Sequence, residues 1–207
     1  KPQNMNRIFV NAFGSIMGRA ELNFDTGFKL SDKWSSAWFV HGSGHFVEMD
    51  FNKDNFRDMP NGTNVALMNR HHYQGEKMEG QIGFNAYLAN KVGGQTDDMR
   101  NGVNKFYSVN IDSKHADVFA KTGFFMKKPL HSIGIVYNAK FQQTNASFGD
   151  RKFVGEEKRG YINAIYDGII GSSDHKFKVG LSGVYSEIEQ QMDSLNDDRI
   201  EIVSGAF

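Results

Sequence analysis

"AELNFDTGFKL", residues 20–30, alternates with a period of two. Ala20, Leu22, Phe24, Phe28 and Leu30 fall on one side, and Glu21, Asn23, Asp25 and Lys29 on the other. Successive side chains of an extended strand point to opposite faces, so this spacing predicts a β-strand with one greasy and one wet face. The pattern recurs in "EGQIGFNAYLAN" (79–90), "HADVFAKTGFFM" (115–126), "SIGIVYNAKFQQ" (132–143), "YINAIYDGII" (161–170) and "KFKVGLSGVY" (176–185). Less regular strands are expected near Arg7 to Ile16 and Trp34 to Met49, with another at Thr63 to Tyr73. Helical periodicity is almost absent. The chain therefore reads as all-β, with about nine strands.

None of the apolar faces in the cleanly alternating segments carries a charge. A charge facing lipid at mid-depth costs about 2–4 kcal/mol, so this exclusion points to a lipid-facing surface. The connections also sort by length. Short polar turns are expected at Ser31 to Lys33, Gln74 to Lys77, Lys127 to Leu130 and Ser172 to His175. Longer, charged segments are expected at Asp50 to Gly62, Gly93 to Asn110, about Gly149 to Gly160, and after Gln191. Strict alternation of short and long connections predicts an antiparallel up-and-down transmembrane β-barrel. An odd strand count leaves an unpaired edge that lipid would not tolerate, so residues 1–207 read as one partial β-barrel domain.

Composition narrows the alternatives. The 207 residues balance 24 basic against 24 acidic side chains, which argues against nucleic acid as a partner. No cysteine is present, which excludes disulfides, thiolate metal sites and cysteine catalysis. No run of about 18 apolar residues suggests a membrane helix, and the opening "KPQNMNRIFVNAFG" does not read as a signal peptide. Abundant Gly, Asn, Phe and Tyr with three Pro suit a barrel and a β-sandwich equally.

The wording of "GRAELNFDTGFKLSDKWSS" and "HGSGHFVEMDFNKDNFRDMPNGTNVALMNRHHYQGEKMEGQIGFNAYLANKVGGQ" resembles the first barrel strands of a TonB-dependent outer-membrane receptor of the type found in Bacteroides-like bacteria. The resemblance covers roughly Lys1 to Gln95, and "KPQNMNRIFV" looks like the point where a plug domain has ended. It implies a 22-stranded barrel in the outer membrane of a Gram-negative bacterium, of which this chain would be part. It also implies import of a small-molecule or metal-chelate ligand such as a siderophore, haem or cobalamin. Energy would come from the TonB complex acting through the missing plug, and outer-membrane lipid would surround the barrel. Two rival readings share the alternation: a passive porin or structural outer-membrane barrel, and a soluble glycan-binding β-sandwich whose apolar faces pack on each other.

Candidate sites are few. In "DFNKDNFRDMP", residues 50–60, Asp50, Asn52, Asp54, the carbonyl of Phe56, and Asp58 fall at the oxygen-ligand spacing of a calcium loop. Asn55 stands where glycine would make the sharp turn, and Asn61 where a bidentate glutamate would close the site. Ligand capture is expected at the external loops around Asp50 to Gly62 and Gly93 to Asn110. The set Glu21, Asn23, Asp25, Gln81, Asn85, Asp117, Lys121, Asn138, Lys140, Asn163 and Asp167 is expected to share one wet wall. His41 and His45 lie roughly 13 Å apart by strand rise, and His71 and His72 point to opposite faces, so neither pair should share a metal ion. No nucleophile pattern supports an enzyme.

Overall fold

The computed structural model describes residues 2–101 and 106–207. Among them ten strands form one antiparallel sheet: β1 (Phe9–Gly14), β2 (Arg19–Lys29), β3 (Trp34–His45), β4 (Asn61–Gln74), β5 (Met78–Gly94), β6 (Ser108–Phe125), β7 (Ser132–Phe148), β8 (Arg151–Ile169), β9 (Lys176–Met192) and β10 (Leu195–Ala206). Their order in space is their order in sequence. Short 3-10 turns occupy Pro2–Asn4 and Asp97–Asn101.

The sheet is open. β1 pairs only with β2 and β10 only with β9, so the two ends of the meander do not meet. This corrects the expected nine strands of a larger transmembrane barrel: ten strands form a flat, open sheet that does not close. The outer-membrane location and the lipid partner inferred with the barrel fall with it. Among the described residues no helix is long and apolar enough to cross a membrane.

Two of the expected long loops are not loops. Gly149 and Asp150 alone connect β7 to β8, and Asp193 and Ser194 alone connect β9 to β10. The strict alternation of short and long connections is therefore absent. The charged run "RKFVGEEKRG" (151–160) resembled a loop because both its faces are polar, yet it continues β8 in register, with Lys158 opposite Phe141 and Glu187. Its charges are matched across and along strands: Lys140 Nζ lies 2.6 Å from Glu157 and Lys158 Nζ 3.3 Å from Glu187 on neighbouring strands, and Lys158 Nζ lies 3.3 Å from Glu156 within β8. The hydrogen bonds that Lys158 donates to Glu187 and then Glu156 hold its ammonium above its ordinary pKa.

Directly registered residues of an antiparallel ladder share a face. One row runs Phe28, Ser36, His71, Ile82, Ala120, Tyr137, Ile162. A parallel row on the same face runs Leu22, Gly42, Val65, Leu88, then Lys114, Gln143, Glu156 and Glu189. The apolar face thus ends in charges on β6, β8 and β9 and in Gln143 on β7, and the exclusion seen in the alternating segments does not extend over the whole sheet. Leu22, Val65, Ile82, Leu88 and Ile162 are all exposed. Among the described residues Pro2, Ala37 and Met49 are buried apolar side chains, and the strands form one sheet rather than two packed face to face, which corrects the sandwich packing expected of the soluble alternative.

The opposite face is polar and less exposed. Along β6, His115, Asp117 and Phe119 are half-buried, whereas Lys114, Ala116 and Val118 on the other side are exposed. The polar side chains lean on one another through hydrogen bonds, and that face carries the candidate site.

Candidate functional site

All eleven residues expected on one wet wall do lie on one face, as the register from β2 to β9 shows. At its centre Asn85, Asp117, Lys140 and Arg159 form one registered row across β5 to β8. Asp117 is the hub. Asn85 Nδ2 donates to both its oxygens at 3.1 and 3.0 Å, Asn138 Nδ2 donates to Oδ2 at 3.2 Å, and His115 Nε2 lies 2.8 Å from Oδ1. The carboxylate side chain is only 10% exposed, so these partners supply the hydrogen bonds it would otherwise take from water. A carboxylate only accepts, so His115 Nε2 carries the proton of this contact. With their amide nitrogens turned to Asp117, Asn85 and Asn138 have their Oδ1 atoms held in fixed directions.

Aromatic residues border this hub. Tyr87 is registered with His115, and Phe119 with Asn138, which is in turn registered with Tyr161. Gly83 explains where Phe119 lies. A Cβ added at Gly83 would come within 2.7 Å of the Phe119 ring and 2.2 Å of the Asn69 carbonyl oxygen, so the ring covers a backbone that only glycine permits.

Toward the short-turn end, a cleft of about 400 Å³ opens on the same face. Arg70, His72, Glu79, Gln81 and Lys121 line it, with Pro2 and Phe125 at its sides. His72 is buried and its Nε2 lies 3.1 Å from Glu79 Oε1. Arg70 stacks over the Phe39 ring at 5.9 Å, and its buried Nε has no hydrogen-bond partner among the described residues. Arg70, His72 and His115 were not among the residues the sequence singled out for this face. Their signal was present: His115 stands two residues from Asp117, and Arg70 and His72 two residues from each other, spacings that put each pair on one face.

The acidic loop has a different construction. Asp50 accepts from the Asp54 and Asn55 N–H groups at 3.1 and 2.8 Å, Asn52 from Asp54 N–H at 3.2 Å, Asp54 from Phe56 N–H at 2.8 Å, and Asp58 from Phe51 N–H at 2.7 Å. Asn55 takes a left-handed φ of 66°, and Lys53 one of 61°. These are the local side-chain-to-backbone bonds by which Asp and Asn shape turns. Among the described residues no group of three or more carboxylate or imidazole side chains converges as a metal site.

The two segments expected to capture ligand do come together at this end. Thr96 N–H donates to the Asn55 carbonyl and Arg57 N–H to the Gly94 carbonyl, each at 2.9 Å. The Arg57 side chain, 4% exposed, lies 2.6 Å from Glu48 and 3.0 Å from Asp97. Residues 102–105 of the second segment lie outside those described. His41 meets Asn23 at 2.7 Å, and His71 and His72 stand on opposite faces as expected.

No family model, curated protein or solved structure matches the chain. With no match and an open sheet, the resemblance to TonB-dependent receptors over Lys1 to Gln95 carries no family assignment. The implied TonB complex, plug and siderophore, haem or cobalamin import lose their basis, since no plug-in-barrel architecture is present among the described residues.

Proposed function

We propose that the polar face is a binding surface for a polyhydroxylated ligand, a glycan in the first instance, and that the chain acts by binding. The observation that carries this reading is the Asp117 hub: one shielded carboxylate holds Asn85, Asn138 and His115 in place, so that amide oxygens and an imidazole nitrogen are preset for an incoming ligand. Preset polar groups lose little freedom on binding. A sugar ring presents hydroxyls that can both donate and accept, and apolar C–H faces that rest on aromatic rings; Tyr87, Phe119 and Tyr161 stand at the neighbouring register positions. No serine or histidine constellation of the kind that activates a nucleophile accompanies the hub.

Titration calorimetry with neutral oligosaccharides tests the reading. A β-linked glucose hexamer should bind the wild-type protein, and Asn138→Ala and Tyr161→Ala should each weaken it by about tenfold, the loss of one hydrogen bond or one stacking contact. Binding unaffected by both substitutions would place the site elsewhere.

A further inference from the structure

The cleft beside the hub adds a charge requirement to that face. Arg70 and Lys121 both line it, and neither forms an ion pair with any described residue. Among the described lining residues the one carboxylate, Glu79, is engaged by His72. Two cations and the Gln81 amide therefore border a space of about 400 Å³ with a single acid among them. Arg70 is held against Phe39 with its Nε shielded from water and unpartnered, which leaves a hydrogen-bonding group unsatisfied. An oxyanion supplies what such a site lacks: paired oxygens for a guanidinium fork and a negative charge for the ammonium.

From this we infer that the cleft binds the oxyanion group, carboxylate or sulfate, of an acidic saccharide whose neutral portion lies on the Asp117 hub. The inference rests on the glycan reading for the remainder of the ligand. Geometry joins the two parts. Gln81 and Asn85 lie four residues apart on β5 and on one face, a span of about 14 Å at ordinary strand rise. Phe119, over Gly83, bridges the interval with an apolar surface. A ligand several sugar units long would meet cations at one end, a ring in the middle and the amide network at the other.

The test is titration calorimetry at fixed ionic strength with a galacturonate hexamer and a neutral β-linked glucose hexamer. The wild-type protein should bind the acidic hexamer at least tenfold more tightly. In Arg70→Gln/Lys121→Gln that preference should vanish while affinity for the neutral hexamer stays within about twofold. Lys121→Gln alone, at an exposed position that should not disturb folding, should lose about half the preference on a logarithmic scale. Equal binding of both hexamers by the wild type, or a preference that survives the double substitution, overturns the inference. If neither hexamer binds, sulfate titrated against the Gln81 side-chain amide resonance, which both proteins keep, separates the two ideas. Shifts in the wild type that are absent from the double variant keep the oxyanion site and remove only the glycan. No shift in the wild type removes the site.

Discussion

Replacing Asp117 with alanine should be among the most damaging single changes on the polar face. The substitution deletes the acceptor for Asn85 Nδ2, Asn138 Nδ2 and His115 Nε2, whose donor distances run from 2.8 to 3.2 Å. A hydrogen bond to a charged group contributes about 1.5–3 kcal/mol. The three partners are only half-buried, so water would replace part of what is lost and the sum should not be taken. A net destabilisation of about 2–3 kcal/mol is expected, or a fall of roughly 5–10 °C in Tm for a chain of this size. Asp117→Asn keeps the volume and one acceptor oxygen but turns an N–H toward other donors, and should cost about half as much. Urea unfolding followed by circular dichroism, with a common slope for all variants, gives the values directly. A change below about 0.5 kcal/mol for the alanine variant would refute the hub as an organising element.

Arg57→Ala should detach the acidic loop from the segment after β5, because it leaves Glu48 and Asp97 without their shared cation. Both acids are partly exposed, so the cost should be about 1.5–3 kcal/mol, with hydrogen exchange accelerating at Arg57, Thr96 and Asp97 before the strands respond. Asp54→Ala removes the acceptor for Phe56 N–H and should cost about 1 kcal/mol. That loss is expected to be equal in calcium chloride and in chelator, whereas a loss seen only with calcium would show that the loop's oxygens hold the ion. The raised Lys158 pKa stabilises the folded state fully below the ordinary lysine value and loses that contribution as pH rises through the raised one. The difference in urea midpoint between wild type and Lys158→Met should therefore shrink as pH rises above the ordinary lysine value, and a constant difference would contradict the pairing with Glu187 and Glu156.

The faces were legible in the sequence because a period of two is a local property. Glu21, Asn85, Asp117 and Asn163 could be assigned to one wall from neighbours alone, and the register agrees. The start of β8 was not legible, since a strand polar on both sides has no alternation to detect and Lys158 finds Glu187 only through a partner far along the chain. β10 escaped for a related reason: "LNDDRIEIVSGA" mixes charges with apolar residues and follows a turn of only two residues. Closure could not be read at all. Whether first and last strands meet depends on accumulated twist and register over the whole sheet, which no local pattern encodes. For the candidate site, Asn85 and Asp117 were named from polarity alone, but their mutual bonding and an Arg70 Nε without a hydrogen-bond partner among the described residues needed the third dimension.

The sequential strand order makes the molecule a row of hairpins, each touching only the one before and the one after. Cooperation in such an array decays with distance along it, as in a linear repeat. The β4 to β8 segment holds the hub and most of the cleft, to which Pro2 of the N-terminal turn adds a wall, and it is separated from events at the β10 border. Shortening or lengthening the row by whole hairpins should leave the ligand surface in place, so the natural unit of rearrangement is the hairpin.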